Sequence, residues 1–175
     1  YVGELALFLQ NRRGYREALT PESMQLLVRS APLHDIGKVG IPDSILLKPG
    51  KLTVEEFAVM KTHAAIGRDA IRRAELLLGT EDSFLQFAKE IAQGHHEKWD
   101  GSGYPEGLAG ESIPISARLM ALADVYDALI SRRVYKDPYS HATAVRMIEA
   151  ESGTHFDPVV VEAFLVLEAR FLEIA

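Results

Sequence analysis

Residues 95–105 read HHEKWDGSGYP, and this stretch sets requirements that the rest of the chain has to meet. The four residues leading into it that share one helix face are separated by four, three and four positions: Phe84, Ala88, Ile91 and His95. A loop dense in glycine, proline and aromatic residues follows the two histidines. The sequence therefore predicts a helix that ends in metal-ligand side chains and opens into a loop lining a site.

The composition is that of a globular protein without membrane segments. The chain has 175 residues, of which 47% are hydrophobic and 25% charged, enough for one domain with a substantial core. No apolar run approaches the roughly 18 residues needed to cross a bilayer, so we expect no membrane contact. The absence of cysteine excludes disulfides and thiolate metal sites and makes the cytoplasm the default location. A net charge of −6 argues against binding a nucleic acid polymer.

Helical patterns cover most of the chain, and no long stretch alternates with period two. Helix starts are marked by capping residues at Thr20, Thr53, Ser140 and Asp157. Proline follows the caps Thr20 and Asp157, and Glu56 completes a capping box with Thr53. The pattern predicts an all-α fold of about seven helices in a single domain, residues 1–175. Within it we expect leading helices over about 1–30, the metal and substrate site over 31–136 and C-terminal helices over 137–175. Because Tyr1 already lies in a helical pattern, we expect a fragment of a longer protein.

Six histidines and acids are predicted to lie on the inward faces of four helices: His34, Asp35, His63, His95, His96 and Asp124. A buried imidazole or carboxylate is costly unless it is paired or bound to a metal. One such residue alone would indicate a hydrogen-bonded core side chain, but six favour a cluster of nitrogen and oxygen ligands. That donor set suits Fe, Mn, Ni or Zn better than Mg or Ca. Six ligands exceed one tetrahedral site, which points to two divalent transition-metal ions sharing a carboxylate.

Several motifs carry a resemblance to a known family. The run LHDIGK at 33–38 resembles the signature of the HD phosphohydrolase superfamily, and HHEKWDGSGYP resembles its HD-GYP branch. The similarity continues at the following runs: IPD at 41–43, LKPG at 47–50, MKTH at 60–63, ADVYDA at 123–128, SRRVYK at 131–136 and SGTHFDP at 152–158. It therefore covers nearly the whole chain from Ala31 onward.

The resemblance implies an HD-domain-like helical bundle with the Gly/Pro-rich loop at its metal site. It also implies a phosphodiesterase of bacterial signalling that hydrolyses cyclic di-GMP to the linear dinucleotide and in some members to GMP. Some relatives act on cyclic GMP-AMP instead. The family's metal ligands correspond to the same six residues, with Asp35 bridging two metal ions and taking part in catalysis. A hydroxide held between the two ions would attack phosphorus.

The resemblance also assigns side chains that contact substrate. Lys38 is expected to act in catalysis, by contacting the scissile phosphate or assisting the leaving oxygen. Gly103 and Tyr104 are expected to line the substrate pocket, the glycine by allowing unusual backbone angles. Arg133 and Lys136 are similar to a phosphate-contacting pair. The alternatives are that Tyr104 packs the loop into the core and that the two basic residues form a solvated turn.

Other residues near the motifs are assigned supporting or structural parts. Glu97 and Asp127 are candidates for accepting hydrogen bonds from ligand histidines. Trp99 is expected to pack the loop against the core. His141 and His155 fall at helix ends in polar surroundings, and we expect both to be structural or solvated.

The chain departs from the family pattern upstream of the HD pair. Members usually carry a further histidine, and some a glutamate, on a preceding helix, whereas residues 2–33 contain no histidine. Val134 also stands where proline is common. An alternative to the enzyme is therefore a module that binds a cyclic dinucleotide or a partner protein in the same signalling system and turns over slowly. The presence of all six predicted ligands favours the enzyme.

Overall fold

The computed structural model describes residues 1–79, 83–132 and 137–175. This part of the chain is helical and forms no β-strand, so the all-α prediction is confirmed. The ten α-helices of the described residues are α1 (Val2–Leu9), α2 (Pro21–Ser30), α3 (Asp43–Leu46), α4 (Val54–Lys61), α5 (His63–Leu78), α6 (Ser83–Gly94), α7 (Ile115–Ile130), α8 (His141–Ala150), α9 (Pro158–Val166) and α10 (Glu168–Ile174). In these ranges no helix is both long and apolar enough to cross a bilayer.

The helix count exceeds the expected seven or so because short elements are hard to see in the sequence. The helix α3 is a single turn of four residues, and α9 and α10 are separated by a break at Leu167. The segment after α2 also differs from the expectation that His34 and Asp35 lie on a helix face. Pro32 lacks an amide hydrogen and disfavours a continuous α-helix, and the chain instead forms a 3₁₀ turn over Ala31–Leu33.

The predicted helix starts are present. Thr20 and Ser140 accept hydrogen bonds from backbone amides three residues ahead, and Asp157 accepts one from Val159. At Thr53 both halves of a capping box form, because Glu56 also accepts from the Thr53 amide at 2.7 Å. Each cap satisfies a helix amide that would otherwise lack an acceptor. These local bonds explain why the starts can be recognised in sequence.

The helix α7 lies at the centre of the bundle. It contacts α6 on one side and α1, α8 and α9 on the other, while α6 also packs against α2 and α5. Three fully buried aromatic residues, Tyr126, Phe164 and Phe171, meet with ring centroids 4.9–5.5 Å apart. The Tyr126 hydroxyl lies 2.8 Å from Nδ1 of His141, which gives His141 a structural role. This core holds α6 and α7, two of the helices next to the site.

A second 3₁₀ turn, Ile36–Gly40, lies directly on α5. A Cβ atom at Gly37 would overlap the His63 carbonyl oxygen and the Gly67 amide nitrogen. The helix α5 runs through Gly67, and the missing side chain at this position admits the turn. The two glycines thus allow the backbone beside Asp35 to reach the backbone of α5.

We predict that Gly37→Ala destabilises the protein by about 1–3 kcal/mol, because the added methyl group meets backbone atoms that cannot rotate away. Gly40→Ala in the same turn is the matched control. Its Cβ would meet only side-chain atoms of Ile66, at 2.9 Å or more, and a side chain can shift more easily than backbone. Denaturant unfolding should separate the two variants, and equal stability losses would contradict the close contact at Gly37.

Candidate metal centre

Four side chains from three segments converge on one point. Asp35 lies between the two 3₁₀ turns, His63 is the first residue of α5, and His95 and His96 follow the last residue of α6. Each offers a nitrogen or oxygen atom, and these four atoms lie within 4.8 Å of one another. His63 and His95 are almost fully buried, whereas Asp35 is half-buried. The sequence-predicted cluster therefore forms around these four residues.

The imidazole rings are oriented by backbone carbonyl groups. Nδ1 of His63 lies 2.7 Å from the Met60 oxygen, and Nδ1 of His95 lies 2.9 Å from the Ile91 oxygen. His34 makes the same contact with Ala31 at 2.9 Å. A carbonyl oxygen can only accept, so each Nδ1 carries a hydrogen. Nε2 of His63 and Nε2 of His95, which have no hydrogen-bond partner among the described residues, are then left to present a lone pair.

Of the two acidic residues expected to accept hydrogen bonds from ligand histidines, Glu97 bonds to backbone amides instead. Glu97 is buried and accepts from the amides of Glu106 at 2.7 Å and Leu108 at 3.1 Å, which ties down the chain after Pro105. Asp127 is exposed, on the turn after Asp124. The role of Glu97 was missed because its partners are backbone amides that no sequence pattern identifies.

Three atoms at the convergence point are buried and have no hydrogen-bond partner within the described part of the chain: Asp35 Oδ1, His63 Nε2 and His95 Nε2. The carboxylate oxygen lies 3.5 Å from the His63 nitrogen and 3.9 Å from the His95 nitrogen. An unsatisfied buried polar group costs about 1–3 kcal/mol, and native proteins contain few of them. A cation would satisfy all three lone pairs at once, so this donor set fits a divalent metal ion.

The second oxygen of Asp35 faces a different group of side chains. Asp35 Oδ2 lies 3.3 Å from Nε2 of His34 and 2.5 Å from Nζ of Lys38. Nε2 of His34 in turn lies 3.7 Å from Oδ1 of Asp124 on α7. The carboxylate of Asp35 therefore stands between two sets of predicted ligands, with His63, His95 and His96 on one side and His34 and Asp124 on the other.

The electrostatics favour the protonation states that a metal site requires. Burial, reinforced by nearby His34, lowers the pKa of His95 to about 4. Burial, followed by the neighbouring His95, lowers the pKa of His96 to about 2. Burial would raise the pKa of Asp35, but hydrogen bonds from His34 and Lys38 hold it well below its usual range. Two neutral imidazoles and a carboxylate are thus available as ligands near neutral pH.

The loop after the histidines folds back over them. The Tyr104 ring stacks on the His96 ring with centroids 4.8 Å apart, and its amide donates to the His96 carbonyl oxygen. Gly103 does not adopt a positive φ, so unusual backbone angles do not explain it. A Cβ atom there would overlap the backbone of Glu97 and Lys98. Gly103 is needed for close approach of the loop to its own beginning.

Two residues to which the sequence analysis assigned no role adjoin Tyr104. The Phe57 ring meets the Tyr104 ring edge-on, with centroids 6.3 Å apart and planes at 85°. Nζ of Lys61 lies 5.5 Å from the Phe57 centroid and 5.7 Å from the Tyr104 centroid. Both residues belong to α4, four positions apart. The spacing was visible in the sequence, but the approach of α4 to the loop was not.

The remaining predicted residues either lie outside the cluster or are not among the residues that the structure describes. Trp99 packs against the Arg118 guanidinium at 5.8 Å, consistent with its expected packing role. The His155 ring stacks on Phe156 at 4.2 Å. Arg133 and Lys136, the expected phosphate-contacting pair, and Val134 beside them lie outside the described residues.

Comparison with known proteins gives a family assignment and several relatives. The HD domain family model matches residues 9–160. A protein of Vibrio cholerae serotype O1 named cyclic di-GMP phosphodiesterase is 63% identical over all of this chain and 35% of its own length. Another protein of that organism, named 3'3'-cGAMP-specific phosphodiesterase 2, is 44% identical over 99% of this chain and 32% of its own length.

The chain spans less than half the length of the curated relatives it matches. Among solved structures, one described as a HDG"Y"P protein from Bdellovibrio bacteriovorus superposes with a TM-score of 0.65 at 20% identity. That match covers 98% of this chain and 50% of the other, and it supports the fold. Because the family model covers most of the sequence and the HD and GYP motifs are both present, the chain belongs to the HD domain family, within its HD-GYP branch.

Proposed function

We propose that this chain is the catalytic domain of a metal-dependent phosphodiesterase that hydrolyses cyclic di-GMP to the linear dinucleotide, with further cleavage to GMP as a second step. The observation that carries the proposal is the set of three buried, unpartnered ligand atoms on Asp35, His63 and His95. Such a set requires a cation, and phosphodiester hydrolysis is a reaction that such cations promote. The names of the similar proteins support the choice of substrate.

Two transition-metal ions fit the predicted ligand set, with Fe, Mn or Ni preferred and Zn as the alternative. Asp35, His63, His95 and His96 would hold one ion, and His34 and Asp124 would hold the other with Asp35 shared between them. When bound, such ions make a water molecule nucleophilic near neutral pH and offset the charge that grows on the phosphate. The ligand donors lie on four elements, which keeps them apart until the chain is folded.

The side chains around the ligands would bind and orient the dinucleotide. The carboxylate of Asp35 stays ionised because His34 and Lys38 lie beside it. The Lys38 ammonium group, partly exposed next to Asp35, would contact the scissile phosphate and assist the departing oxygen. Tyr104, stacked on His96, would present its ring to the nucleotide, and Gly103 would shape the loop. Contacts from Arg133 and Lys136 to phosphate stay predictions.

Two further assignments complete the proposal. The site would occupy 31–136, between the leading helices of 1–30 and the C-terminal helices of 137–175, and the domain would act in the cytoplasm. Protein partners in cyclic di-GMP signalling are expected, as is independence from nucleic acid polymers and membranes. Longer relatives of this chain are consistent with regulatory domains elsewhere in the protein.

A second candidate substrate is cyclic GMP-AMP, which the name of a 44% identical relative favours. A third possibility is a module that binds the cyclic dinucleotide and turns it over slowly. Cleavage assays with both nucleotides separate the first two, and metal-loaded protein that binds without cleaving would support the third. The intact ligand cluster favours an enzyme over the module.

We predict that Asp35→Ala abolishes cleavage of cyclic di-GMP and lowers the metal content, because this carboxylate faces both ligand groups. Product formation followed by chromatography, with elemental analysis of the same samples, measures both effects. Asp69→Ala is the matched control, since Asp69 is exposed and its carboxylate pairs with Arg68. Normal turnover by Asp35→Ala would refute the proposed site.

Metal-depleted protein should be stabilised by transition metals more than by Mg²⁺, because imidazole nitrogen is the major donor. At free metal of about 100 times Kd the expected stabilisation is about 2.7 kcal/mol. Thermal unfolding with Mn²⁺, Ni²⁺, Zn²⁺ and Mg²⁺ measures it, with His63→Ala as the variant that should lose the shift. Equal shifts for wild type and His63→Ala would contradict the cluster as the binding site.

Lys38→Met should lower kcat for cyclic di-GMP by about a hundredfold while leaving the metal content close to that of wild type. The change removes the ammonium group and keeps most of the apolar stem. Lys48→Met is the control, because Lys48 pairs with Glu56 on α4 rather than with Asp35. A loss of metal equal to that of Asp35→Ala would mean that Lys38 supports the ligands and does not act on the substrate.

A further inference from the structure

We infer that Lys61 and Phe57 form a guanine-binding subsite beside Tyr104, which would give the proposed phosphodiesterase its base specificity. This inference rests on the proposed function, because it needs the substrate phosphates to lie at the metal cluster. The subsite combines an ammonium group with two aromatic rings at nearly a right angle. Neither residue belongs to the predicted ligand or phosphate-contacting sets.

The geometry places these groups on one side of the cluster. Phe57 and Lys61 are four positions apart on α4 and therefore share a helix face. Both residues contact the Tyr104 ring. This ring stacks on the His96 ring, with an angle of 29° between the two ring planes. Tyr104 thus links the subsite to the metal-ligand candidates. A dinucleotide with a phosphate at the cluster can place a base beyond Tyr104.

A purely structural role does not explain this arrangement. The helix α4 has no buried residue, and the Phe57 side chain is 47% exposed. Within the described residues, Nζ of Lys61 has no carboxylate oxygen within 4.0 Å, whereas Lys38 and Lys48 are both paired. An aromatic face open to solvent and an unpaired ammonium group next to a candidate site are both available to a ligand.

Guanine matches this pair of groups better than adenine does. Guanine presents two acceptors, O6 and N7, along one edge, and a lysine ammonium group can donate to both. Adenine places an amino group where guanine has O6, so the ammonium group would meet a donor. The exposed Phe57 ring offers a stacking surface that any base can use. Stacking would therefore contribute affinity, while Lys61 would contribute the preference for guanine.

The two candidate substrates fit a single subsite of this kind. Cyclic di-GMP contains two guanines and cyclic GMP-AMP contains one, whereas cyclic di-AMP contains none. One guanine-specific position therefore admits both candidates and rejects the third nucleotide. The subsite would contribute to binding of the base and would not contact the scissile phosphodiester bond.

The first test compares kinetic constants of metal-loaded variants. Lys61→Met and Phe57→Leu should each raise KM for cyclic di-GMP about tenfold and leave kcat within about twofold of wild type. Phe57→Trp should keep KM near the wild-type value, because it preserves the stacking surface. Lys51→Met, which removes an equal charge just before α4, and Val54→Ala, on α4 itself, are the matched controls and should behave as wild type.

The second test measures binding without turnover. Isothermal titration of metal-loaded protein with 5'-GMP and 5'-AMP should show a preference for GMP of about tenfold in wild type. Lys61→Met should reduce that preference to near unity, while Phe57→Leu should weaken both nucleotides alike. Cyclic di-AMP, which contains no guanine, should bind Lys61→Met at least as tightly as it binds wild type.

Two results would overturn the inference. Equal weakening of guanine and adenine nucleotides by Lys61→Met would make Lys61 a phosphate contact, and an unchanged KM would place the base elsewhere. Either result leaves the proposed phosphodiesterase standing if wild type cleaves cyclic di-GMP. Conversely, a protein that cleaves no cyclic dinucleotide but prefers GMP through Lys61 would refute the phosphodiesterase and retain the subsite.

Discussion

The contact between Gly37 and the backbone of α5 is the constraint on which the candidate centre depends. Because neither Gly37 nor Gly67 has a side chain, the Ile36–Gly40 turn reaches the first two turns of the helix. That approach holds Asp35 with one oxygen towards His63 and the other towards His34. A methyl group on Gly37 would push the turn away from α5 and move the Asp35 carboxylate, which faces two ligand sets at once. Backbone packing, more than any side-chain bond, therefore sets the geometry of the site.

The histidines are oriented by the same elements that carry them. Carbonyl oxygens of Ala31, Met60 and Ile91 accept from Nδ1 of their respective rings, so each Nε2 is aimed inward by local backbone. This arrangement needs no additional buried acid, which would carry its own desolvation penalty. Glu97 instead accepts hydrogen bonds from the amides of Glu106 and Leu108, which fixes the loop that follows Pro105. Ligand orientation and loop position are thus handled by separate groups within a short stretch of chain.

Much of the fold and the candidate site could be predicted because it depends on local spacing. Helix caps at Thr20 and Thr53 use bonds within four residues, and the inward stripe ending at His95 follows from helical periodicity. Prediction was poorer where distant backbone segments meet. Gly103 was expected to allow unusual backbone angles, yet it admits the Glu97 backbone, and the close contact of Gly37 with α5 had no signal in the sequence. The sequence alone does not show whether a glycine is needed for unusual backbone angles or for close approach of another backbone segment.

The sequence by itself determined the helical class, the capped helix starts and the residue types able to bind a metal, because each is written in short-range patterns. Only the tertiary structure decided that Asp35, His63, His95 and His96 bring their ligand atoms within 4.8 Å. It also decided that the end of α4 meets the loop at Tyr104. These outcomes depend on how closely remote backbones approach, which packing around small residues controls and residue spacing does not encode.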